Sequence, residues 1–318
     1  MRAAIDQRSH VAGARSRLMA LPDGFSDVRD LPDSEFAALW DAILVADGLK
    51  DQLLSQAVLT FTVRGKVSRA TLPLHGIILL VGPPGTGKTS LAKGLASRTA
   101  QTFGGSGGKS FRFVEVDPHA LSSGSLGKTQ RAVTQLFGST IGEQAVLGPT
   151  IVLLDEVETI LADRAKLSLE ANPIDVHRAT DAALVKLDQL AGSHPDVLFV
   201  ATSNFPQAID VAFLSRVDLL VTVPPPDKAG RLAILRDTLS GMSDAFPPLR
   251  VLARSPDLST VAGEADGVDG RAMRKLVAAA CTRAKEVALD PGLLTVDLLL
   301  AAARDAVACR DALSGRAQ

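Results

Sequence analysis

Tyrosine is absent from the 318 residues, tryptophan occurs once, and aromatic side chains make up only 4%. A surface that grips single-stranded nucleic acid by base stacking needs several rings interleaved with positive charge, and no such stripe is present. Charge of one sign is equally scarce. The 34 basic residues against 35 acidic ones leave a formal net charge of −1, which gives no global field for a polyanion or an anionic membrane. Direct nucleic-acid binding is therefore not expected. The two cysteines, Cys281 and Cys309, lie far apart without metal-ligand spacing. They are expected to be reduced, inert thiols rather than a disulfide or a zinc site. No apolar run approaches the roughly 18 residues that span a bilayer. The stretch from Met1 to Pro22 is basic but carries charges throughout, unlike a secretory signal. What remains is a soluble cytoplasmic chain, and 46% hydrophobic residues suffice for an ample core.

The chain is organised around one stretch. Ile77 to Val81 is a continuous apolar run, followed by Gly82-Pro83-Pro84-Gly85-Thr86-Gly87-Lys88-Thr89 and then helical text. The spacing G-x-x-x-x-G-K-T between a buried strand and a helix is that of a phosphate-binding loop. Glycines let the backbone curl so that successive N–H groups point at phosphate oxygens. Lys88 supplies a point charge for the β- and γ-phosphates, Thr89 a hydroxyl for Mg²⁺, and the helix N-terminus favours the same anion. A nucleotide is the expected ligand.

Around this loop, residues 1–30 are Arg-, Ala- and Gly-rich with little periodicity and read as a flexible or partner-ordered arm. Start signals at Pro32-Asp33-Ser34-Glu35 precede Phe36, Leu39, Trp40, Ile43 and Leu44 at helical spacing, and a second helix is expected from Leu49 to Thr62. Trp40 is either a core anchor or a neighbour of the base. Strand-like stretches at 77–81, 111–116, 150–154, 197–201 and 219–223 alternate with helical text. They predict a parallel five-stranded sheet flanked by helices, with ligands at the carboxyl ends of the strands. After Pro224-Pro225-Pro226 only helical patterns follow, at 228–242, 270–288 and 295–311. The expected plan is an α/β core over 31–225 and a small all-helical lid over 226–318.

Further positions carry chemistry. Asp155 and Glu156 end the apolar run Ile151-Val152-Leu153-Leu154. Asp155 is placed to hold Mg²⁺ through its water shell and Glu156 to polarise an attacking water; a solvated acidic pair is the plain alternative. Asn204, at the end of Ala201-Thr202-Ser203, is suited to orient that water with Glu156, or simply to form a turn. Arg216, in Ile209 to Asp218, offers a guanidinium to offset charge on a transferred phosphoryl group, in a neighbouring subunit rather than its own. The bland alternative pairs it with Asp218. Asp269 is a fair N-cap for a helix beginning at Gly270. Arg271 in that first turn opposes the helix dipole and so points to an external anion, the nucleotide phosphate, with a solvated side chain as the alternative.

The phosphate loop, acidic strand end, asparagine, downstream arginine and lid Gly270-Arg271 occur in the order of the AAA+ ATPases. More narrowly, Asp155-Glu156-Val157-Glu158-Thr159-Ile160, Thr202-Ser203-Asn204, Ile209 to Asp218 and Leu39-Trp40-Asp41 make the chain similar to the pachytene-checkpoint (thyroid-receptor-interacting protein 13) ATPases. That resemblance implies a P-loop AAA+ fold, ATP and Mg as cofactors, and a homo-hexameric ring. It implies a ring that grips a disordered end of a HORMA-domain protein and opens it. Bacterial members of this type stand beside a HORMA protein and a cGAS-like nucleotidyltransferase in anti-phage signalling operons. The family's pore loop corresponds to Ser125-Leu126-Gly127, where Leu126 replaces an aromatic grip.

Overall fold

The computed structural model describes residues 21–46, 48–104, 110–118, 128–163 and 173–314. Two helices, α1 (Ser34–Ala42) and α2 (Leu49–Val63), follow a first strand β1 (Phe25–Leu31). The α/β core then runs through β2 (Ile77–Val81), α3 (Lys88–Gly104), β3 (Phe111–Val116), α4 (Lys128–Gln135), α5 (Ile141–Leu147), β4 (Thr150–Leu154), α6 (Pro173–Ser193), β5 (Val197–Ser203), α7 (Val211–Leu214) and β6 (Leu219–Thr222). The sheet order is β1-β3-β4-β5-β2-β6. Every pair is parallel except β1 with β3.

The central strands are apolar on both faces because both faces are covered. Ile77, Leu79 and Val81 enter one core with Val152, Leu154, Phe199 and Ala201. Ile78 and Leu80 enter the opposite core with Ile151, Leu153, Leu198 and Val200. Such strands read as unbroken apolar runs, which is why β2, β4 and β5 were legible.

The sixth strand corrects the expectation of a five-stranded sheet and of an arm reaching residue 30. In β1 the apolar residues Phe25, Val28 and Leu31 fall three apart, with Asp27, Arg29 and Asp30 between them. A register shift between Phe25 and Asp27 breaks the period of two. Arg29 meets Asp27 at 2.7 Å and Glu35 at 2.7 Å, so the charges occupy a sheet edge. The arm's residues 1–20 lie outside those described.

Asp33 caps α1 by accepting the Phe36 N–H at 2.9 Å, as its start signals predicted. Trp40 is a core anchor. It is buried against α3, where a Cβ on Gly94 would stand 2.6 Å from the Trp40 Cβ.

Beyond β6, α8 (Lys228–Met242), α9 (Leu249–Leu252), α10 (Leu258–Glu264), α11 (Gly270–Cys281), α12 (Lys285–Leu289) and α13 (Val296–Ser314) close around their own core. The helix expected over 270–288 is thus two, separated at Thr282–Ala284, and α9 and α10 escaped notice because each spans two turns or fewer. Helix α4 ends at Gln135 and passes through a π turn, Leu136–Thr140, into α5. No described helix is long and apolar enough to cross a membrane.

Candidate nucleotide site

The loop after β2 needs glycine for steric reasons at two places. Gly82 passes so close to β6's end that a Cβ would lie 2.3 Å from the Val223 carbonyl oxygen. Gly85, at φ +80°, would place one 2.1 Å from Oδ1 of Asp269 in the helical region. The latter contact exists because α11 docks on the loop: the Arg271 N–H donates to the Gly85 carbonyl at 3.2 Å. Asp269 caps α11 by accepting the Ala272 N–H at 2.9 Å.

Lys88 is buried inside this curl. Its ammonium donates to the carbonyls of Gly82 and Pro83 and to Oδ1 of Asn204, each at 2.8 Å. Burial pulls its pKa below the ordinary lysine value, against the opposing pull of Asp155, Glu158 and Glu156. A phosphate arriving here would therefore favour the charged form.

The acidic pair sits at the end of β4, one strand from the end of β5. Thr202 bridges the two residues. Its hydroxyl donates to Oδ1 of Asp155 at 2.5 Å and accepts the Glu156 N–H at 3.1 Å. Asp155 Oδ1 also accepts from the Thr89 hydroxyl at 2.9 Å. Glu156 adopts φ +50°, the one non-glycine residue with positive φ among those described. Holding a side chain there costs on the order of 1–3 kcal/mol, and the result aims the carboxylate at Asn204. The Asn204 side-chain amide donates to Oε1 of Glu156 at 3.1 Å, while its own N–H is fixed by Glu158 Oε1 at 3.1 Å.

These groups line a cavity of about 340 Å³. Its walls include Pro84, Gly85, Thr86, Gly87, Lys88 and Thr89, with Asp155, Glu156 and Asn204 at one end and Arg271 from the helical region at another. Ala42, Ile43 and Leu44, at the end of α1, supply apolar wall. The guanidinium of Arg271 is exposed and has no partner among the described residues. Sequence thus foresaw the residues that converge, but not Thr202, Glu158 or the Ala42–Leu44 wall. Thr202 stood inside the Thr202-Ser203-Asn204 signature; Glu158 stood in Asp155-Glu156-Val157-Glu158.

One expected residue falls elsewhere. Arg216 does not line the cavity. Its guanidinium donates to Asp188 through Nε at 2.9 Å and Nη2 at 2.7 Å, and its Nη1 to the Ala212 carbonyl. The alternative pairing with Asp218 is excluded, since that carboxylate accepts the N–H groups of His75, Gly76 and Ile77. The pore-loop residues Ser125, Leu126 and Gly127 lie outside the described residues.

The donor set also fits Mg²⁺. Thr89 and Asp155 present a hydroxyl and a carboxylate oxygen side by side in the cavity. No group of three His, Cys, Asp or Glu exists among the described residues to cage a metal by protein alone. A cation that keeps its waters and shares substrate phosphates needs only such a partial site.

A phosphate loop, a catalytic-type acidic pair and an asparagine at adjacent strand ends, closed by a helical region, define an ATPase class. The chain belongs to the AAA ATPases: the profile of the "ATPase family associated with various cellular activities (AAA)" matches residues 78–225. Among its relatives is CD-NTase-associated protein 6 of Pseudomonas aeruginosa, 57% identical over 90% of this chain and 93% of that one. A pachytene checkpoint protein 2 homolog of Oryza sativa subsp. indica is 38% identical over 66% of this chain and 44% of its own length. In fold, the chain is similar to one in the solved E. coli MS115-1 HORMA:CdnC:Trip13 complex. That match has a TM-score of 0.71 at 18% identity, covering 90% of this chain and 96% of that one.

Proposed function

We propose that this chain is an ATP-driven protein remodeller that opens a HORMA-domain partner, acting as a homo-hexameric ring in a CD-NTase anti-phage system. The observation that carries the reading is the composite cavity: Glu156 and Asn204 of the α/β core face Arg271 of the helical region across one space. Chemistry at that boundary changes what holds the two parts together, which is how hydrolysis becomes motion. The relatives support the biological setting. One is named for association with a CD-NTase, and a chain of similar fold was solved with HORMA and CdnC partners.

In this reading the loop N–H groups and Lys88 bind the phosphates of ATP, with phosphate oxygens replacing the Gly82 and Pro83 carbonyls as acceptors for the ammonium. Mg²⁺, when held by Thr89 and Asp155, neutralises phosphate charge. Glu156 accepts a proton from the attacking water, and Asn204 fixes the geometry of that carboxylate. Arg271 stabilises charge on the phosphates from the helical side, and Arg216 does so from a neighbouring copy. Leu126 grips the threaded chain by apolar contact.

The test uses Glu156→Gln, which keeps shape but is a far weaker base. General-base contributions run to about 10²–10⁴-fold, so ATP binds and persists. With ATP, the variant should retain a purified HORMA protein from a CD-NTase system on a size-exclusion column, and release it with ADP. Equal retention with ATP, ADP or no nucleotide contradicts the proposal.

A further inference from the structure

Arg216 is the one member of the proposed hydrolytic set that lies outside the cavity of its own chain, and what holds it is specific. Asp188, on α6, takes the Nε and Nη2 edge of the guanidinium with both carboxylate oxygens, at 2.9 and 2.7 Å. The Ala212 carbonyl takes one N–H of Nη1. An arginine has five N–H donors. Three are used, which leaves one on each terminal nitrogen to donate to oxygens of a phosphate.

The pairing is not a loose surface contact. The Arg216 side chain is 22% exposed and that of Asp188 38%. The guanidinium's hydrogen bonds hold the Asp188 carboxyl below the usual carboxylate range, although burial opposes this. His75 Nε2 lies 3.6 Å from Asp188 Oδ1, and Arg69 donates to the Asp188 carbonyl at 3.3 Å, so the aspartate is itself anchored.

We infer that Asp188 is a positioning residue for hydrolysis: it grips one edge of Arg216 and presents the remaining donors, already oriented, to a nucleotide phosphate held by a neighbouring copy. This rests on the reading that Arg216 acts across a subunit boundary. A long side chain that is free in solution must lose its rotamer freedom when it meets the phosphate; one held in advance has already lost it. The carboxylate also keeps the guanidinium from swinging to the open surface.

The experiment compares steady-state ATPase, ATP affinity and ring size for Asp188→Asn, Arg216→Ala and the double variant. Asparagine retains the volume but cannot accept from both Nε and Nη2 with full charge. Asp188→Asn should lower kcat about tenfold, the scale of a modest misplacement, with KM within about twofold and rings intact. The double variant should be no slower than Arg216→Ala alone, because both changes disable one unit. Asp188→Glu should recover part of kcat, as a merely structural role would not require. Wild-type kcat in Asp188→Asn, with Arg216→Ala inactive, overturns the inference and leaves the role of Arg216 standing. A faster Asp188→Asn also overturns it, since the aspartate would then restrain the arginine. Wild-type kcat in Arg216→Ala removes the underlying reading instead. If Asp188→Asn fails to assemble, Asp188→Ser is judged by the same kcat and KM criteria.

Discussion

The Asn204 amide joins Glu156 and Lys88: it donates to the Glu156 carboxylate at 3.1 Å and accepts from the Lys88 ammonium at 2.8 Å. The residue proposed to activate water and the residue proposed to bind phosphate are thus linked through one neutral side chain. A phosphate that draws Lys88 away frees the Asn204 oxygen, so the occupancy of the loop is felt at Glu156.

Lys88→Ala removes the ammonium and its bond to Asn204 together. Nucleotide binding should be lost, with no heat of binding in calorimetry at millimolar ATP. Affinity near that of the wild type would contradict the role given to the loop.

Thr202→Val keeps the shape of a fully buried side chain but strands the Glu156 N–H and removes one donor from Asp155. A buried polar group left unpaired costs about 1–3 kcal/mol. Melting should fall by a few degrees, and ATPase should fall further because Glu156 loses its anchor. Thr202→Ser, which keeps the hydroxyl, should restore both. Equal activity of the valine and serine variants would exclude the bridge from the mechanism.

Much of this site was legible because its signals are local. Asp155, Glu156 and Asn204 follow apolar runs, Lys88 and Thr89 follow the glycine-rich loop after another, and parallel strands bring such ends together. Arg271 was legible from its misfit with a helix N-terminus. Asp188 was not, since nothing near it in the chain marks it and its partner lies 28 residues away. Strand β1 was hidden for a related reason: an edge strand with a register shift loses the alternation that would announce it.

Acid should separate Asp188 from a neutral replacement. Its folded pKa lies below the ordinary value of about 4, chiefly through the hydrogen bonds from Arg216, with His75 and Arg69 also facing it. A depressed carboxylate contributes stability above its unfolded pKa and loses it as pH falls through the folded value. The stability gap between wild type and Asp188→Asn should therefore be open at pH 6 and close below about pH 4. Parallel denaturation midpoints across that range would contradict the sign.

Leu126→Asp addresses the proposed grip. Burial of a leucine is worth roughly 1.5–3 kcal/mol, and a transient hold uses part of it. The variant should hydrolyse ATP and form rings yet fail to open a HORMA protein. Loss of ring assembly and ATPase together would assign Leu126 to packing instead.

The central claim is that ATP hydrolysis in this chain opens a HORMA-domain protein, and a fluorescence distance measurement on the substrate tests it most directly. A HORMA protein labelled to report its closed and open states is mixed with a substoichiometric amount of the chain. With ATP, the signal should shift to the open state over many turnovers. It should stay closed with ADP or with Glu156→Gln. Steady ATP hydrolysis beside an unchanged closed signal would contradict the account.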